Sequence, residues 1–532
     1  MNKRFFRRAI SLILMSAMVL SMAACGGKQS SGGGQGGTGS QESQDKPKPT
    51  TMTMAINGEA GGLDPNMQFD TVSSVWQQGM FEGLLREKNG DSLTIEPWLA
   101  ESYEISEDGL EITFKIRQGV KFHNGETMTT EDVAFSYNRA IAATGTSALT
   151  NTMDHMEAVD DTTCVLHLKQ PYLPVLKCLT MCTMSIVSKK AVEECEKNGT
   201  DFARNPVGTG KYKFVSWASG DRATYERFED YWGEPAACET FVLRYISDST
   251  TGGLALENGE IDVLYGPNRA DAKHMMNDLE NITFDSIAGA GYTFMFFNCV
   301  GDSPFADIRV RKAAAMALNR SDLMVAGVEG IGTLIECPLA PTIDGYDHDQ
   351  TWYEYNVDEA KKLMAEAGYP NGFTIHAEIC QQAQYKACAE AAQAQLRTIG
   401  IDMQIDLVVK ATFISDVWQG GNCDVSIYLA NCAVQDADFE LYRRYHSGVQ
   451  GQAGNLSGLS SPEVDAWLEE ARSSTDAATR SELYVKVIQW AKDNAICVPF
   501  YTANMNVAYN NAVGGVHAHP VNKFNIADFY WK

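Results

Sequence analysis

Two histidines near the carboxyl end are the residues whose types and spacing best suit metal chemistry. His517 and His519 are separated by one alanine, and in a strand this spacing puts both imidazoles on one side. Imidazole is a good ligand for nickel, zinc or copper. No third ligand-forming residue stands beside them, so we interpret the pair as an exposed loop feature and predict no metal site.

His123 is the other residue whose type could suggest catalysis. It follows a strand-like segment and opens a turn at Asn124-Gly125, so we expect a structural role. The sequence contains no H-E-x-x-H, G-x-S-x-G or P-loop motif, and the acidic pair Glu193-Glu194 is typical of a solvated helix face. We therefore predict no enzyme activity and no cofactor.

Cys25 is the residue whose position indicates a covalent modification. Residues 1–24 combine four basic residues with an apolar run too short to span a bilayer, which is typical of a secretory signal. The small residues Ala23 and Ala24 precede Cys25, a pattern that resembles the bacterial lipobox, although Met22 replaces the more usual leucine. Residues 25–50 are rich in Gly, Ser, Gln and Lys/Pro, which predicts a flexible tether. We expect Cys25 to be acylated.

Composition restricts the remaining possibilities. The chain has 532 residues, and without the four basic residues of the signal it carries 39 Lys and Arg against 68 Asp and Glu, a formal charge of −29. Such a surface repels nucleic acid and anionic lipid. Twelve cysteines follow Cys25 with no regular spacing. We interpret most of them, including Cys178 and Cys182, as small buried residues, with one or two disulfides left open.

Apolar periodicity predicts the elements that must position any site. Residues 110–117 alternate strictly between apolar and polar, which predicts a half-buried strand. Thr129 and Asp132 have the spacing of a capping box, so a helix should follow. Helices are also predicted at 310–319, 357–367 and 385–399, and strands at 373–379 and 401–409. This alternation predicts an α/β protein with largely parallel sheets.

Several motifs in order along the chain resemble one protein family, the extracellular solute-binding proteins of family 5, which include oligopeptide, dipeptide and nickel receptors of ABC importers. The densest match runs from Gly109 to Glu126 and continues through Glu131-Asp132-Val133-Ala134-Phe135-Ser136-Tyr137. Other matching motifs are Leu63-Asp64-Pro65, Pro206 to Tyr212, Tyr231-Trp232-Gly233, Ala255 to Asp262, Asp307 to Ala313 and Ser461 to Asp465.

The resemblance implies a two-lobed, periplasmic-binding-protein-like fold of type II, with an extra subdomain inserted in lobe one. On that pattern lobe one comprises residues 51–84, 205–290 and 499–532. The inserted subdomain comprises residues 85–204, and lobe two comprises residues 291–498. Two hinged lobes can close over a ligand. The ligand then stabilises the closed form only through contacts that are absent from the open form.

The resemblance also directs attention to the ligand residues. Peptide-binding members carry an aspartate for the peptide ammonium after a strand, and here the corresponding segment runs from Ala430 to Phe439. One register makes Asp436 the amine partner, whereas another leaves Ala433 in that place. Gln381 and Gln382 stand where some dipeptide receptors have an arginine for the carboxylate. Trp418, Tyr292 and Asn431 are further candidate ligand residues, on placement only.

The expected function is that of a monomeric substrate-binding lipoprotein, extracellular and lipid-anchored on the outer face of the cytoplasmic membrane. It would capture short peptides or peptide-like solutes and pass them to ABC permease subunits. The alternative keeps the fold and role but changes the cargo to an oligosaccharide, an opine-like compound or a chelated metal. The departures at Ala433 and Gln381 add weight to this alternative, while peptides remain the leading expectation.

Overall fold

A computed structural model describes residues 49–67, 69–88, 91–418, 423–449, 454–523 and 525–532, without the side chains of Ala270 and Trp418. The predicted signal, Cys25 and the predicted tether up to residue 48 lie outside these residues.

The described part of the chain contains 20 strands. They are β1 (Thr51–Ile56), β2 (Leu85–Lys88), β3 (Asp91–Pro97), β4 (Ala100–Ile105), β5 (Glu111–Ile116), β6 (Met153–Asp160), β7 (Thr163–Leu168), β8 (Tyr212–Ala218), β9 (Arg222–Arg227), β10 (Thr240–Tyr245), β11 (Val263–Tyr265), β12 (Ile282–Ala288), β13 (Gly291–Phe297), β14 (Gly332–Leu334), β15 (Phe373–Cys380), β16 (Ile401–Val408), β17 (Val425–Asn431), β18 (Cys497–Asn510), β19 (Val513–Gly514) and β20 (Tyr530–Trp531).

The same residues contain 15 α-helices, together with short 3-10 segments and a π-helical turn at Ile414–Trp418. The helices are α1 (Thr71–Gln77), α2 (Thr130–Ala142), α3 (Ser147–Thr150), α4 (Val175–Cys178), α5 (Lys189–Asn198), α6 (Ser249–Glu257), α7 (Arg269–Asp278), α8 (Ile308–Ala317), α9 (Arg320–Val328), α10 (Val357–Glu366), α11 (Ala383–Leu396), α12 (Lys410–Phe413), α13 (Ala437–Tyr445), α14 (Pro462–Ser473) and α15 (Ala477–Asp493).

The predictions made from local patterns are confirmed. The alternating segment at 110–117 forms β5, with Ile112, Phe114 and Ile116 buried. The predicted capping box is present at the start of α2, where the Thr129 side chain accepts from the Asp132 N–H and the Asp132 side chain accepts from the Thr129 N–H. The helices predicted at 310–319, 357–367 and 385–399 correspond to α8, α10 and α11, and the strands at 373–379 and 401–409 correspond to β15 and β16.

The prediction of largely parallel sheets is wrong. The main sheet has 12 strands in the order β16-β15-β17-β13-β18-β11-β1-β10-β9-β8, and β12 and β14 also pair with β18. Only four of its pairings are parallel: β1 with β10, β1 with β11, β15 with β16 and β15 with β17. Four of the antiparallel pairings come from β18, a 14-residue strand that runs antiparallel to β11, β12, β13 and β14. The other three join β8 to β9, β9 to β10 and β13 to β17.

The buried side chains form separate cores along this sheet. Residues from β1, β10 and the carboxyl-terminal segment make the core of a first lobe. A second lobe packs around β13, β15 and β17, with another cluster among α13, α14 and α15. A third body, the insert, surrounds the four-stranded antiparallel sheet β4-β5-β7-β6.

The domain limits remain a prediction. The observed cores group a few residues differently from those limits. Val187, Ala191, Val192 and Phe202 pack in the first-lobe core, although the predicted limit at residue 204 puts them in the insert. These four residues precede β8, and their apolar side chains pack against residues of the main sheet.

The 12 described cysteines are all free thiols, and ten of them are buried. This agrees with their interpretation as small buried residues. Cys178 packs in the insert core, but Cys182 is only half-buried and its thiol donates to the Gln77 side-chain oxygen at 3.5 Å. Within the described chain, no helix is long and apolar enough to cross a membrane.

Candidate ligand-binding cleft

A cavity of about 690 Å³ lies where the first lobe, the insert and the second lobe meet. Its wall is formed by α1 and the chain that follows it, by the residues between β12 and β13, by the end of β17, and by the carboxyl-terminal segment. The lining residues used below are Glu82, Glu87, Trp98, Thr180, Cys182, Lys211, Tyr231, Asp285, Gly289, Ala290, Gly291, Leu429, Asn431, Ala433, His517, His519, Lys523 and Asp528.

One side of the cleft is the crossing between the two lobes. An added Cβ at Gly289 would lie 2.8 Å from the Ala503 carbonyl oxygen, and one at Gly291 would lie 2.9 Å from the Ala430 carbonyl oxygen. The Thr502 hydroxyl lies 2.8 Å from the Gly289 oxygen and 2.6 Å from the Gly291 oxygen. These close backbone approaches explain why glycine is needed where the chain passes from one lobe to the other.

The wall on the first-lobe side contains a carboxylate held by neutral donors. Glu82 accepts from Trp98 Nε1 at 2.7 Å, Tyr231 OH at 2.6 Å, Trp232 Nε1 at 3.1 Å and Thr209 Oγ1 at 2.8 Å. Burial raises the pKa of this carboxyl, although the four hydrogen bonds act to lower it. The aromatic wall of the cleft is therefore fixed around one acidic side chain.

A second acidic side chain, Glu87, binds the carboxyl-terminal segment to the insert. Glu87 accepts from His519 Nε2 at 2.8 Å and from Lys523 Nζ, which also donates to Thr180 Oγ1 at 2.9 Å. Burial acts to raise the pKa of Glu87, but the neighbouring Lys523 and His519 outweigh it and lower the pKa to about 2. Lys211 and Asp528 form another pair across the same segment, at 3.1 Å.

The two histidines considered as metal ligands are placed differently from each other. His517 is exposed at the cleft, whereas His519 is half-buried. The Nε2 atom of His519 contacts Glu87, and its Nδ1 atom accepts from the Val521 N–H at 3.2 Å. Both ring nitrogens of His519 are thus engaged. The interpretation of the pair as an exposed loop feature is therefore wrong for His519.

Among the predicted ligand residues, Asn431 lines the cleft, as does Ala433. Asn431 lies at the end of β17, opposite Gly291 of β13. Gln381 is exposed after β15, where its N–H donates to the Val408 carbonyl oxygen at 2.7 Å, and it does not line the cleft. The side chain of Trp418 lies outside the described part of the structure.

Tyr292 is buried behind the cleft rather than exposed in it. Its hydroxyl donates to Glu440 at 3.1 Å, and its side chain is 1% exposed. Glu440 also accepts from Arg444 at 2.6 Å and from Arg443 at 2.7 Å. Burial acts to raise the pKa of Glu440, but these two guanidinium groups outweigh it and lower the pKa. Tyr292 therefore supports the second lobe from within, and its role as a ligand contact stays a prediction.

The carboxylate of Asp436 already has a cation as its partner. Both Asp436 oxygens accept from Arg480 Nη2, at 2.8 and 2.7 Å, and the side chain also accepts from the Asp438 N–H at the start of α13. Asp438 is paired with Arg472, whose Nε and Nη2 atoms donate to its two oxygens at 3.1 and 3.0 Å. Asp436 is 4% exposed and does not line the cleft. This geometry gives Asp436 a partner within the protein and places Ala433, not Asp436, at the cleft; the amine-partner role of Asp436 stays a prediction.

Sequence reasoning missed the residues that form most of the charged wall, above all Glu82, Glu87 and Lys523. A signal for Glu82 was present, because it is a lone acid within the apolar run from Met80 to Leu85. Such an acid predicts a buried carboxylate with hydrogen-bond donors around it. Glu87 and Lys523 had no such signal, because they are 436 residues apart in sequence.

Comparison with known proteins agrees with this geometry. Residues 94–452 match the family described as bacterial extracellular solute-binding proteins, family 5 Middle. The heme-binding protein A of Haemophilus influenzae is 29% identical over 507 residues, covering 89% of this chain and 90% of that protein. The dipeptide-binding protein of Escherichia coli is 27% identical over 476 residues, covering 82% and 86%. The structure of HbpA2 from Haemophilus parasuis superposes with a TM-score of 0.84 at 26% identity, covering 91% of this chain and 100% of that one.

The fold and the cleft between its lobes define the class: this is a two-lobed solute-binding protein of the kind that serves ABC importers. The chain belongs to the bacterial extracellular solute-binding proteins, family 5. The relatives named above are binding proteins, not enzymes.

Proposed function

We propose that this protein is a lipid-anchored receptor that captures short peptides or peptide-like solutes and delivers them to the permease of an ABC importer. The observation that carries the proposal is the cleft of about 690 Å³ bounded by both lobes, because small-molecule sites typically enclose about 300 to 1,000 Å³. A relative named as a dipeptide-binding protein supports the peptide class. The lipobox at Cys25 supports the anchor.

In this proposal the two lobes make different kinds of contact with the ligand. The described second-lobe residues that line the cleft are Gly291, Leu429, Asn431 and Ala433, and none of them is charged. These residues can contact a ligand through backbone groups, the Asn431 side-chain amide and apolar surface. The charged groups come from the first lobe and the insert, so the ligand's charged end should face that side.

Asp285 is the proposed partner for a ligand ammonium group. It lines the cleft and is half-buried, and its Oδ2 atom accepts from the Ala518 N–H at 2.9 Å. Among the other cleft carboxylates, Glu87 and Asp528 are already paired with Lys523 and Lys211. Glu82 is enclosed by four neutral donors, and Asp91 accepts from the Thr94 hydroxyl. A charge-assisted contact with Asp285 would therefore not displace an existing cation.

The test replaces a cleft residue with one that fills the cavity. Ala433→Arg should lower the affinity for a di- to pentapeptide mixture at least tenfold in calorimetry, because its side chain would occupy the ligand's volume. Val159→Arg is the matched control: Val159 is 53% exposed in the insert and does not line the cleft. If no peptide binds, or if Ala433→Arg binds as tightly as the parent, the peptide proposal is wrong.

A non-peptide solute is the second candidate, favoured by the uncharged second-lobe wall and by the relative named as a heme-binding protein. Native mass spectrometry of protein purified from its own host would identify retained cargo. An N-acetylated peptide that binds as well as the free amine, or a titration that gives a stoichiometric heme absorption band, would favour this candidate. The non-peptide candidate would be excluded if Asp285→Asn weakened binding of the free-amine peptide but not of the N-acetylated peptide.

A further inference from the structure

A group of histidines and carboxylates lies on the outer face of the insert sheet, away from the ligand cleft. His155 and Glu157 of β6 and His167 of β7 have ligand atoms that all lie within 4.8 Å of one another. His155 and His167 are directly opposite in the antiparallel ladder, with ring centroids 4.5 Å apart and planes at 13°. None of the three residues lines the cleft.

A β-bulge at Asp154 produces this arrangement. The β6–β7 register shifts between Met153 and His155, so Asp154 is the extra residue of the bulge. Met153 and Met156 are therefore both buried in the insert core, while His155 and Glu157 both face outward. A bulge that re-aims side chains in this way is a common device next to functional sites.

Each imidazole has a carboxylate behind it. The Nδ1 atom of His155 lies 2.8 Å from Asp154 Oδ2, and the Nδ1 atom of His167 lies 3.4 Å from Glu111 Oε1. The Nε2 atom of His167 lies 3.3 Å from Glu157 Oε2. In metal sites, a ligating histidine typically gives its second nitrogen to such a carboxylate, which fixes the ring and its tautomer.

We propose that His155, His167 and Glu157 form a binding site for a borderline divalent transition-metal ion such as Zn²⁺, through the two Nε2 atoms and one carboxylate oxygen. Two imidazoles with one carboxylate suit Zn²⁺, Co²⁺ or Ni²⁺ rather than Ca²⁺ or Mg²⁺. With bonds of about 2.0 to 2.2 Å, the ligand atoms of a tetrahedral ion are roughly 3.4 Å apart. The side chains of His155 and Glu157 are 50% and 56% exposed, so they have room to move closer. The His155 ring must also turn out of its stack on His167 so that both nitrogen lone pairs point at the ion.

Three protein ligands leave the fourth position of the ion open to water or to a group from another molecule. The ion would also join the edge strand β6 to its neighbour β7 in the insert sheet. Binding to the folded state alone raises the thermal midpoint as metal is added. This stabilisation is a readout independent of the ligand cleft.

The experiment measures Zn²⁺ and Co²⁺ binding to the purified, tag-free, metal-stripped protein by calorimetry and by the visible absorption of bound Co²⁺. We expect one ion per chain and a rise in the thermal midpoint. His155→Ala and His167→Ala should each weaken binding at least tenfold, and Glu157→Gln should change the Co²⁺ spectrum. Peptide affinity at the cleft should stay unchanged in all three variants.

His274→Ala is the matched control, because His274 is also exposed and contacts two acids, Glu257 and Asp278, but has no second histidine in contact. His517→Ala tests the exposed imidazole of the cleft. The proposal fails if no stoichiometric ion binds, or if binding survives the double change of His155 and His167. It also fails if His274→Ala or His517→Ala removes the ion.

Discussion

At the scale of single residues, Asp436 and Arg480 form an ion pair whose side chains are 5% and 7% exposed. Removing one partner of such a pair leaves the other charge buried, which typically costs about 3 to 5 kcal/mol. We therefore expect Asp436→Asn to lower the free energy of unfolding by roughly 3 kcal/mol in chemical denaturation, while ligand affinity changes less than twofold.

Asn431→Ala is the comparison for that experiment, since Asn431 is exposed and lines the cleft. It should weaken ligand binding and leave stability nearly unchanged. A stable Asp436→Asn protein with a tenfold loss of affinity for the free amine would instead support the predicted amine-partner role of Asp436.

His123 gives a prediction about pH. Burial lowers the pKa of His123 to about 4, and Lys213 adds to this effect. The neutral ring donates from Nε2 to the Gly210 oxygen at 2.9 Å, and its Nδ1 atom accepts from the Gly208 N–H at 3.3 Å. Because the unfolded chain binds the proton first, stability is full above pH 6.5 and falls as the pH drops toward 4.

The expected slope from this one group is about 1.4 kcal/mol per pH unit inside that window. His123→Gln should have a lower stability at pH 7.5 and a shallower decline between pH 6.5 and 4.5, measured by denaturant titration. His376→Gln is the control, because His376 is an exposed histidine in β15. Equal slopes in the parent and in His123→Gln would show that His123 is not the group responsible.

At the scale of elements, Glu87 connects β2 to the carboxyl-terminal segment through His519 and Lys523. Since the pKa of Glu87 is lowered to about 2 from 4.5, the pair contributes up to about 3 kcal/mol above pH 4.5 and loses it as the pH falls toward 2. Glu87→Gln should increase amide hydrogen exchange across residues 517–523, as seen by mass spectrometry.

Lys121→Gln is the matched control for Glu87→Gln. Lys121 and Asp230 form a pair of 2.7 Å, but their side chains are 44% and 60% exposed. Exposed pairs contribute about 0 to 1 kcal/mol, so hydrogen exchange should not change measurably. If Glu87→Gln behaves like this control, the carboxyl-terminal segment is held by its apolar contacts rather than by Glu87.

At the scale of the whole molecule, the proposed lipid anchor at Cys25 would decide where the receptor works. Cys25→Ser removes the thiol that would carry the acyl chain. We expect the variant to lose palmitate labelling and to leave the membrane fraction, with unchanged ligand affinity, when cell fractions are compared by immunoblot. A Cys25→Ser protein that stays membrane-bound and labelled would contradict the lipoprotein assignment.

The sequence by itself determined most elements and the family. The alternation that formed β5 and the Thr129–Asp132 capping box of α2 depend on residues within one strand or one turn, so a local pattern is sufficient to predict them. The ordered motifs gave the family because each lies within a short stretch of chain. Ligand class did not follow, because it depends on side chains from three bodies.

Only the tertiary structure decided which charged residues line the cleft. Asp436 pairs with Arg480, which is 44 residues away in sequence, and Glu87 pairs with Lys523, which is 436 residues away. It also decided the mixed sheet, because β18 pairs with strands of both lobes. Long-range pairings are selected by burial and charge in the folded state, and no periodicity within a single segment encodes them.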